Sequence, residues 1–208
     1  LGIRCVGKFL YDHGMVDINE KDEITIETLS GIKKLKAYTS GGKVNRLRVD
    51  MGKAILDPKE IPVVLDGDKV VDRPVEIAGK NYNITCVSMG NPHCVVFMDD
   101  IDNLDIETVG PEFENDKLFP ERVNTEFVTV LDDHTIKMRV WERGSGETWA
   151  CGTGACAVAV AACENGFCKK GEDIKIKLKG GDLIINYTDE TVYMTGNAEK
   201  VFEGEVEV

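Results

Sequence analysis

The segment from Trp141 to Cys156 places a thiol next to a glycine-rich turn, directly after a predicted strand. Its Cys151-Gly152-Thr153-Gly154 sequence opens an apolar stretch that we predict to be a helix ending at Gly166. The first N–H groups of a helix have no intrahelical partners, and together with the helix dipole they favour a bound anion. The same field lowers the pKa of a nearby thiol. We therefore predict an anion site with an ionisable thiol, Cys151, at its mouth.

Other interpretations of this segment stay open at the level of sequence. Gly-Thr-Gly also suits a plain tight turn beside a buried cysteine. A phosphate-binding loop is disfavoured, because neither Gly-x4-Gly-Lys-Ser/Thr nor a Gly-x-Gly-x-x-Gly after a strand is present. A cysteine hydrolase would require a histidine base. His93 is the one plausible partner, since His13 and His134 fall at a helix end and in a hairpin turn.

Charged and amide side chains cluster at the ends of three predicted strands. Glu142 and Arg143 end the strand before the cysteine loop, where an arginine fork suits a carboxylate and a glutamate suits an ammonium group. An exposed surface ion pair is the alternative for these two residues. Asn91, in the sequence Asn-Pro-His, and Asn124, ahead of another strand, each offer a donor and an acceptor to a zwitterionic ligand. For Asn91 the alternative is a turn residue before proline.

The chain contains seven cysteines, an odd number that argues against a disulfide framework. The tightest spacings are Cys151/Cys156 and Cys163/Cys168, and residues five apart on a helix do not share a face, so neither pair suits zinc. We expect no metal site, and we expect most of the cysteines to be small buried apolar residues. A reducing, cytoplasmic location follows from this pattern.

The net charge of the chain indicates which kinds of ligand it can bind. Lys and Arg total 25 against 37 Asp and Glu, which gives a formal net charge of −12. A chain this acidic is repelled by phosphate backbones and anionic lipid, and no apolar stretch is long enough to span a membrane. We therefore expect a small-molecule ligand rather than nucleic acid or a membrane surface.

Short strand patterns outnumber helices along the 208 residues, which predicts mixed or antiparallel sheets with few helices. Two segments of thirteen residues, Gly2–Gly14 and Gly154–Gly166, both read as helices closed by glycine. Aligned on their first glycines they share three identities, which two capped helices could also share by chance. If the repeat is real, the chain has two similar halves, each with a central helix.

The sequence resembles diaminopimelate epimerases in motifs that follow the family's order and spacing across nearly the whole chain. The matching segments are Gly2–Cys5, Val49–Gly52, Met89–His93, Pro120–Asn124, Glu142–Gly144, Ala150–Cys156 and Tyr193–Gly196. The resemblance implies an α/β (α+β) fold with two pseudo-symmetric domains, each a mixed or antiparallel sheet around a central helix, and a site in the cleft between them. It places residues 1–49 with a C-terminal strand at 198–208 in the first domain, and residues 50–197 in the second.

The activity that the resemblance implies is cofactor-independent interconversion of LL- and meso-diaminopimelate, a step in lysine and peptidoglycan precursor synthesis. In this family two cysteines act on opposite faces of Cα, where one thiolate removes the proton and the other thiol returns one. Carried over by motif, Cys151 is one of the two, and His93 and Glu142 are polar groups that support catalysis. No cofactor is implied, and a homodimer is compatible with the resemblance.

The resemblance also assigns residues to the substrate. Gly152 and Thr153 supply N–H groups to the α-carboxylate, and Arg143 and Glu142 bind the amino-acid head. Asn91 and Asn124 contact the substrate through their amides.

One motif of the family is only partly present. Its other cysteine stands in Cys-Gly-Asn-Gly-x-Arg, and here Leu1 occupies the Asn position, so that Cys5 does not correspond to the second cysteine. We therefore expect that these 208 residues alone do not epimerise diaminopimelate. A proline-racemase-like isomerase, a non-catalytic amino-acid-binding module and a structural zinc protein are the alternatives.

Overall fold

A computed structural model describes residues 2–18, 22–28 and 31–206 of the chain. These residues form two compact units, the first lying within 1–50 and 195–208 and the second made of residues 51–194. The domain division given in the sequence analysis stays a prediction.

The first unit contains one helix and a three-stranded antiparallel meander. Its elements are α1 (Gly2–Asp12), β1 (Glu23–Thr28), β2 (Gly31–Ser40) and β3 (Lys43–Asp50). Helix α1 approaches the sheet through Gly7, because a Cβ there would lie 2.8 Å from Leu35 and 3.4 Å from Leu47. The predicted helix at residues 1–14 is confirmed over Gly2–Asp12, and Leu1 lies outside the described residues.

The second unit is a mixed sheet with two helices. Its elements are β4 (Arg73–Ile77), β5 (Lys80–Ser88), β6 (Pro92–Phe97), α2 (Ile106–Glu114), β7 (Asn124–Asp132), β8 (Thr135–Glu142), β9 (Gly146–Thr148), α3 (Gly152–Glu164), β10 (Asp173–Leu178), β11 (Gly181–Tyr187) and residues 192–194 of β12 (Val192–Asn197). The strand order is β12-β11-β10-β8-β7-β6-β5-β4, with β9 paired to β8. Strands β6 and β7 run parallel, as do β8 and β10, and the hairpins are antiparallel. The predicted mixed sheet with few helices is confirmed.

Helix α3 is the central helix of the second unit. Every residue from Gly154 to Ala162 is buried, and the helix packs against β5, β6, β7, β10 and β11. A helix that is apolar all round is stable only when it is enclosed, and its many alanines let strands approach it on several sides. A separate apolar core on the other face of the sheet is centred on Phe113 and Phe127, whose rings meet edge to face. Together the two layers hold β6, β7 and β8 rigidly, and these strands carry most of the polar residues of interest.

The predicted C-terminal strand at 198–208 is wrong over the residues described. Residues 198–206 form no strand, and the side chains of Val201 and Phe202 are 87% and 83% exposed. Apolar residues alternating with Glu203 and Glu205 mimic a half-buried strand in sequence, but a strand requires a neighbour for its backbone groups. Residues 207 and 208 lie outside the described part of the chain. Within that part, the structure contains no helix long and apolar enough to cross a membrane.

Candidate active site

Cys151 is the N-cap of helix α3. Its backbone is extended, and its carbonyl accepts from Ala155 N, so the helix begins at Gly152. The thiol Sγ accepts the Gly154 N–H at 3.3 Å and lies 3.5 Å from Thr153 Oγ1. The N–H groups of Gly152 and Thr153 belong to the first turn, where no intrahelical carbonyl is available to them. This end of α3 therefore brings a thiol and open backbone donors together.

The predicted low pKa of Cys151 is wrong in direction. Burial, together with the nearby carboxylates of Glu126 and Glu142, raises the pKa of this thiol to about 12, against the lowering effect of Thr153 and of the Gly154 N–H. A short helix terminus lowers the pKa of an exposed thiol effectively. Here the thiol is only 6% exposed and faces two acidic side chains, so desolvation and charge repulsion dominate. In this structure Cys151 is a thiol at neutral pH.

His93 forms a buried pair with a carboxylate of the neighbouring strand. Its Nδ1 lies 2.7 Å from Glu126 Oε1, and both side chains are fully buried. Its Nε2 lies 3.1 Å from Asn91 Oδ1. Both ring nitrogens of His93 therefore have a polar side chain within hydrogen-bond distance, which fixes the orientation of the ring. The described hydrogen bonds of His93 thus go to Glu126 and Asn91 rather than to the thiol, which gives no support to a cysteine-hydrolase pair.

The charged end of β8 is held in place by hydrogen bonds to Glu114 of helix α2. Trp141 Nε1 donates to Glu114 Oε2 at 2.7 Å, and Gly144 N donates to Glu114 Oε1 at 2.8 Å. Between these two anchors, Glu142 accepts a hydrogen bond from Thr148 Oγ1 of β9. The Arg143 guanidinium donates through Nη1 to the Glu121 carbonyl at 2.9 Å and is half-buried. Residues 142 and 143 are therefore presented on a fixed backbone.

Asn124 connects the other polar segments. Its Nδ2 donates to the Pro92 carbonyl at 2.9 Å, and its Oδ1 accepts the Arg143 N–H at 3.1 Å. Both ends of the amide thus bind backbone, and the side chain is buried. This gives Asn124 a clear role in joining β6, β7 and the end of β8. Its contact with substrate, like that of Asn91, stays a prediction.

The residue that sequence reasoning missed is Glu126. It follows Asn124 by two positions on β7, points to the same side of the sheet, and is fully buried against helix α3. The sequence does contain an indication of its importance, because Glu126 is flanked by Thr125, Phe127 and Val128 in a predicted strand. Burying a glutamate there costs free energy unless its carboxylate has a partner. Within residues 2–18, 22–28 and 31–206, no group of three or more His, Cys, Asp or Glu side chains is arranged to hold a metal ion.

Gly154 is the point at which Glu126 meets the cysteine turn. A Cβ on Gly154 would lie 2.5 Å from Glu126 Oε1 and 3.2 Å from Cys151 Sγ. Since neither buried group can withdraw, we expect Gly154→Ala to lower the free energy of unfolding by about 1–3 kcal/mol. Denaturant titration measures this. Gly2→Ala is the control, because a Cβ there meets nothing within 4 Å and the change should cost nothing. A Gly154→Ala protein as stable as wild type would contradict the close contact.

Solved structures with this fold include isomerases that act at a stereocentre. A hydroxyproline epimerase from Agrobacterium vitis, solved with bound trans-4-hydroxy-L-proline, matches with a TM-score of 0.70 over 94% of this chain and 62% of its own length, at 15% identity. The chain thus spans less than two thirds of that protein, and the likeness shows the fold. The fold and the cysteine-capped central helix together place the chain in the fold class of this epimerase.

Sequence comparison gives the family within that class. Residues 85–201 match the family model for diaminopimelate epimerase. A diaminopimelate epimerase from Agathobacter rectalis is 50% identical over 100% of this chain and 74% of its own length. One from Acetivibrio thermocellus is 52% identical over 99% and 72%. The chain belongs to the diaminopimelate epimerase family, and the resemblance drawn from its motifs is confirmed.

Proposed function

We propose that this chain inverts the configuration at one Cα of diaminopimelate by proton transfer through cysteine thiols, with no pyridoxal cofactor. The observation that carries the proposal is Cys151 at the N-cap of α3, with the first N–H groups of the helix open beside its thiol. A thiol in this position can give a proton to a carbon atom whose carboxylate binds those N–H groups.

The substrate is held by groups that match an amino acid. The α-carboxylate binds the N–H groups of Gly152 and Thr153, where the helix dipole also favours negative charge. Arg143 binds a substrate carboxylate and Glu142 binds an ammonium group, both presented on the fixed end of β8. Asn91 extends this polar surface from the turn before β6. Oriented binding of this kind brings Cα close to the thiol before proton transfer.

Removal of the Cα proton creates negative charge that must be stabilised at once. The helix N-terminus and its N–H groups lie at the carboxylate, into which the charge of the carbanion spreads. The His93 ring, held in a fixed orientation by Glu126 and Asn91, is a polar group that supports this stabilisation. Electrostatic stabilisation of this type takes the place of an electron sink on a cofactor.

The second cysteine of the mechanism belongs to the Cys-Gly-Asn-Gly-x-Arg motif, of which this sequence begins at the Asn position with Leu1. A polypeptide of residues 1–208 therefore supplies only the Cys151 half of the proton transfer. We also propose a cytoplasmic location and a homodimer, as the family resemblance implies.

The test compares two polypeptides with LL-diaminopimelate as substrate. One is the 208-residue chain, and the other, called the fusion enzyme, joins it at Gly2 to the segment of the Acetivibrio thermocellus relative that carries the family's first cysteine. We expect the fusion enzyme to form the meso isomer and the 208-residue chain to form none. Chromatographic separation of the stereoisomers measures both, with L-proline as the control substrate.

Each outcome distinguishes the candidate functions. Racemisation of proline but not of diaminopimelate by the fusion enzyme would favour a proline-racemase-like isomerase. Calorimetric binding of diaminopimelate without turnover by the fusion enzyme would favour a binding module. Formation of the meso isomer by the 208-residue chain alone would overturn the requirement for the second cysteine.

A further inference from the structure

Glu126 is the most deeply buried acidic residue near the proposed site, and its oxygen Oε1 is confined from two sides. It lies 2.7 Å from His93 Nδ1 and 2.5 Å from the position that a Cβ on Gly154 would take. Only a glycine at 154 lets the carboxylate reach so close to the first turn of α3. The Cys151 thiol is close to the same glycine, with Sγ 3.2 Å from that Cβ position. One carboxylate oxygen thus lies between the imidazole and the cysteine turn.

The other oxygen of Glu126 is unusual. Oε2 is buried and has no hydrogen-bond partner among the residues that the structure describes. An unpartnered buried carboxylate oxygen costs free energy, so a fold retains one where its charge has a use. Burial raises the pKa of this carboxyl and His93 opposes the rise. His93 Nδ1 lies against the other oxygen, Oε1, so that the ring and the carboxyl group form one buried pair next to the first turn of α3.

Cys151 is the group on which this charge acts. The titratable groups around Glu126 are His93 and Cys94 on β6, Glu142 on β8 and Cys151 on α3. Burial and then Glu126 are the largest causes of the raised Cys151 pKa. Glu142 contributes less, and as an ammonium ligand it would be neutralised by bound substrate. Glu126 faces the protein interior, so it raises the pKa of Cys151 whether or not substrate is bound.

We propose that Glu126 is a positioning residue whose buried carboxylate keeps the Cys151 thiol protonated and fixes the His93 ring behind it. This rests on the proposed function and adds to it, because it makes Cys151 the proton donor of the resting site and the other cysteine the base.

The proton transfer balances in this assignment. The thiolate of the other cysteine takes the Cα proton, and the C–H electron pair remains on the substrate as a carbanion. Cys151 S–H then delivers its proton to the opposite face, so that the new C–H bond uses the carbanion pair and the S–H pair stays on Sγ. One thiol and one thiolate are present before and after the step. The Gly154 N–H and the Thr153 hydroxyl, which already contact Sγ, donate hydrogen bonds to the new thiolate on Cys151.

The experiment measures Cys151 directly and requires no substrate. The 208-residue chain and its Glu126→Gln variant are treated with iodoacetamide between pH 7 and 10, and alkylation of each cysteine is followed by peptide mass spectrometry. Glutamine keeps the size and the hydrogen bond to His93 but removes the charge. We expect Cys151 to be alkylated about tenfold faster or more in the variant, which corresponds to a fall of at least about one unit in its pKa. A rate within about twofold of wild type would overturn the proposal.

Two controls separate charge from loosened packing. Cys156, one turn into the same helix and fully buried, reports opening of α3, and its rate should not change. If Cys156 becomes reactive together with Cys151, opening explains the result and the assignment to charge is wrong. Glu126→Asp retains a carboxylate, so its Cys151 rate should stay near wild type, and a rise equal to that of Glu126→Gln would also overturn the proposal. Since no turnover is measured, failure here is distinct from failure of the epimerase assay.

Discussion

Replacing Cys151 by alanine in the fusion enzyme is expected to lower the rate of meso-diaminopimelate formation by about a thousandfold or more. A positioned acid/base group contributes about 10²–10⁴-fold to a proton transfer, and no neighbouring group can take over. Thr153, the hydroxyl nearest to the thiol, is far too weak an acid to protonate Cα at this rate. Turnover from both the LL and the meso side measures the loss, because each direction requires both cysteines.

The control for this prediction is Cys163→Ala on the same helix. Cys163 lies almost at the far end of α3 and is half-buried, so its loss should change the rate by no more than about twofold. Calorimetry should show that the Cys151→Ala protein still binds diaminopimelate. A Cys151→Ala enzyme that keeps more than about a tenth of its activity would contradict an acid/base role for this thiol.

The ionisation state of Cys151 shows where prediction from sequence ends. The sequence placed the thiol correctly at the start of α3, because an N-cap depends on neighbouring residues. Its pKa depends on Glu126 and Glu142, which lie on two other strands, and on enclosure of the whole helix by the sheet. Neither the register of β7 against β6 nor the depth of the helix can be read from local spacing. The predicted sign of the pKa shift was therefore wrong, although the position of the thiol at the start of the helix was predicted correctly.

Asn124 and the C-terminal segment also show that sequence patterns do not reveal which groups become neighbours in the fold. The segment Pro120–Asn124 identifies Asn124 as important, yet only the fold reveals that its amide bridges the backbones at Pro92 and Arg143. Conversely, the alternation at 201–206 predicted a strand from local pattern alone, and no such strand is present. Local patterns define helix ends and strand faces well. They do not predict which distant part of the chain provides the hydrogen-bond partner that a strand edge or a buried amide requires.

Arg143→Met is expected to lower kcat/KM for diaminopimelate by about 10²–10³-fold, mainly through a higher KM. Removing one partner of a desolvated charge pair costs about 2–5 kcal/mol, and each 1.4 kcal/mol is tenfold. Because Asn124 and Glu114 hold the backbone on either side of Arg143, the substitution removes the guanidinium without moving the loop. Steady-state kinetics across substrate concentrations separates KM from kcat.

The matched control for this substitution is Arg73→Met. Its guanidinium also donates to a backbone carbonyl, that of Asp66, but it belongs to the edge strand β4, whereas Arg143 follows the interior strand β8. We expect its kinetics to stay within about twofold of the parent enzyme. Arg143→Lys should recover only part of the loss, since lysine keeps the charge but cannot form the two parallel hydrogen bonds of an arginine fork. If Arg143→Met changed kcat alone and left KM unaltered, the guanidinium would act on the transition state rather than on a substrate carboxylate.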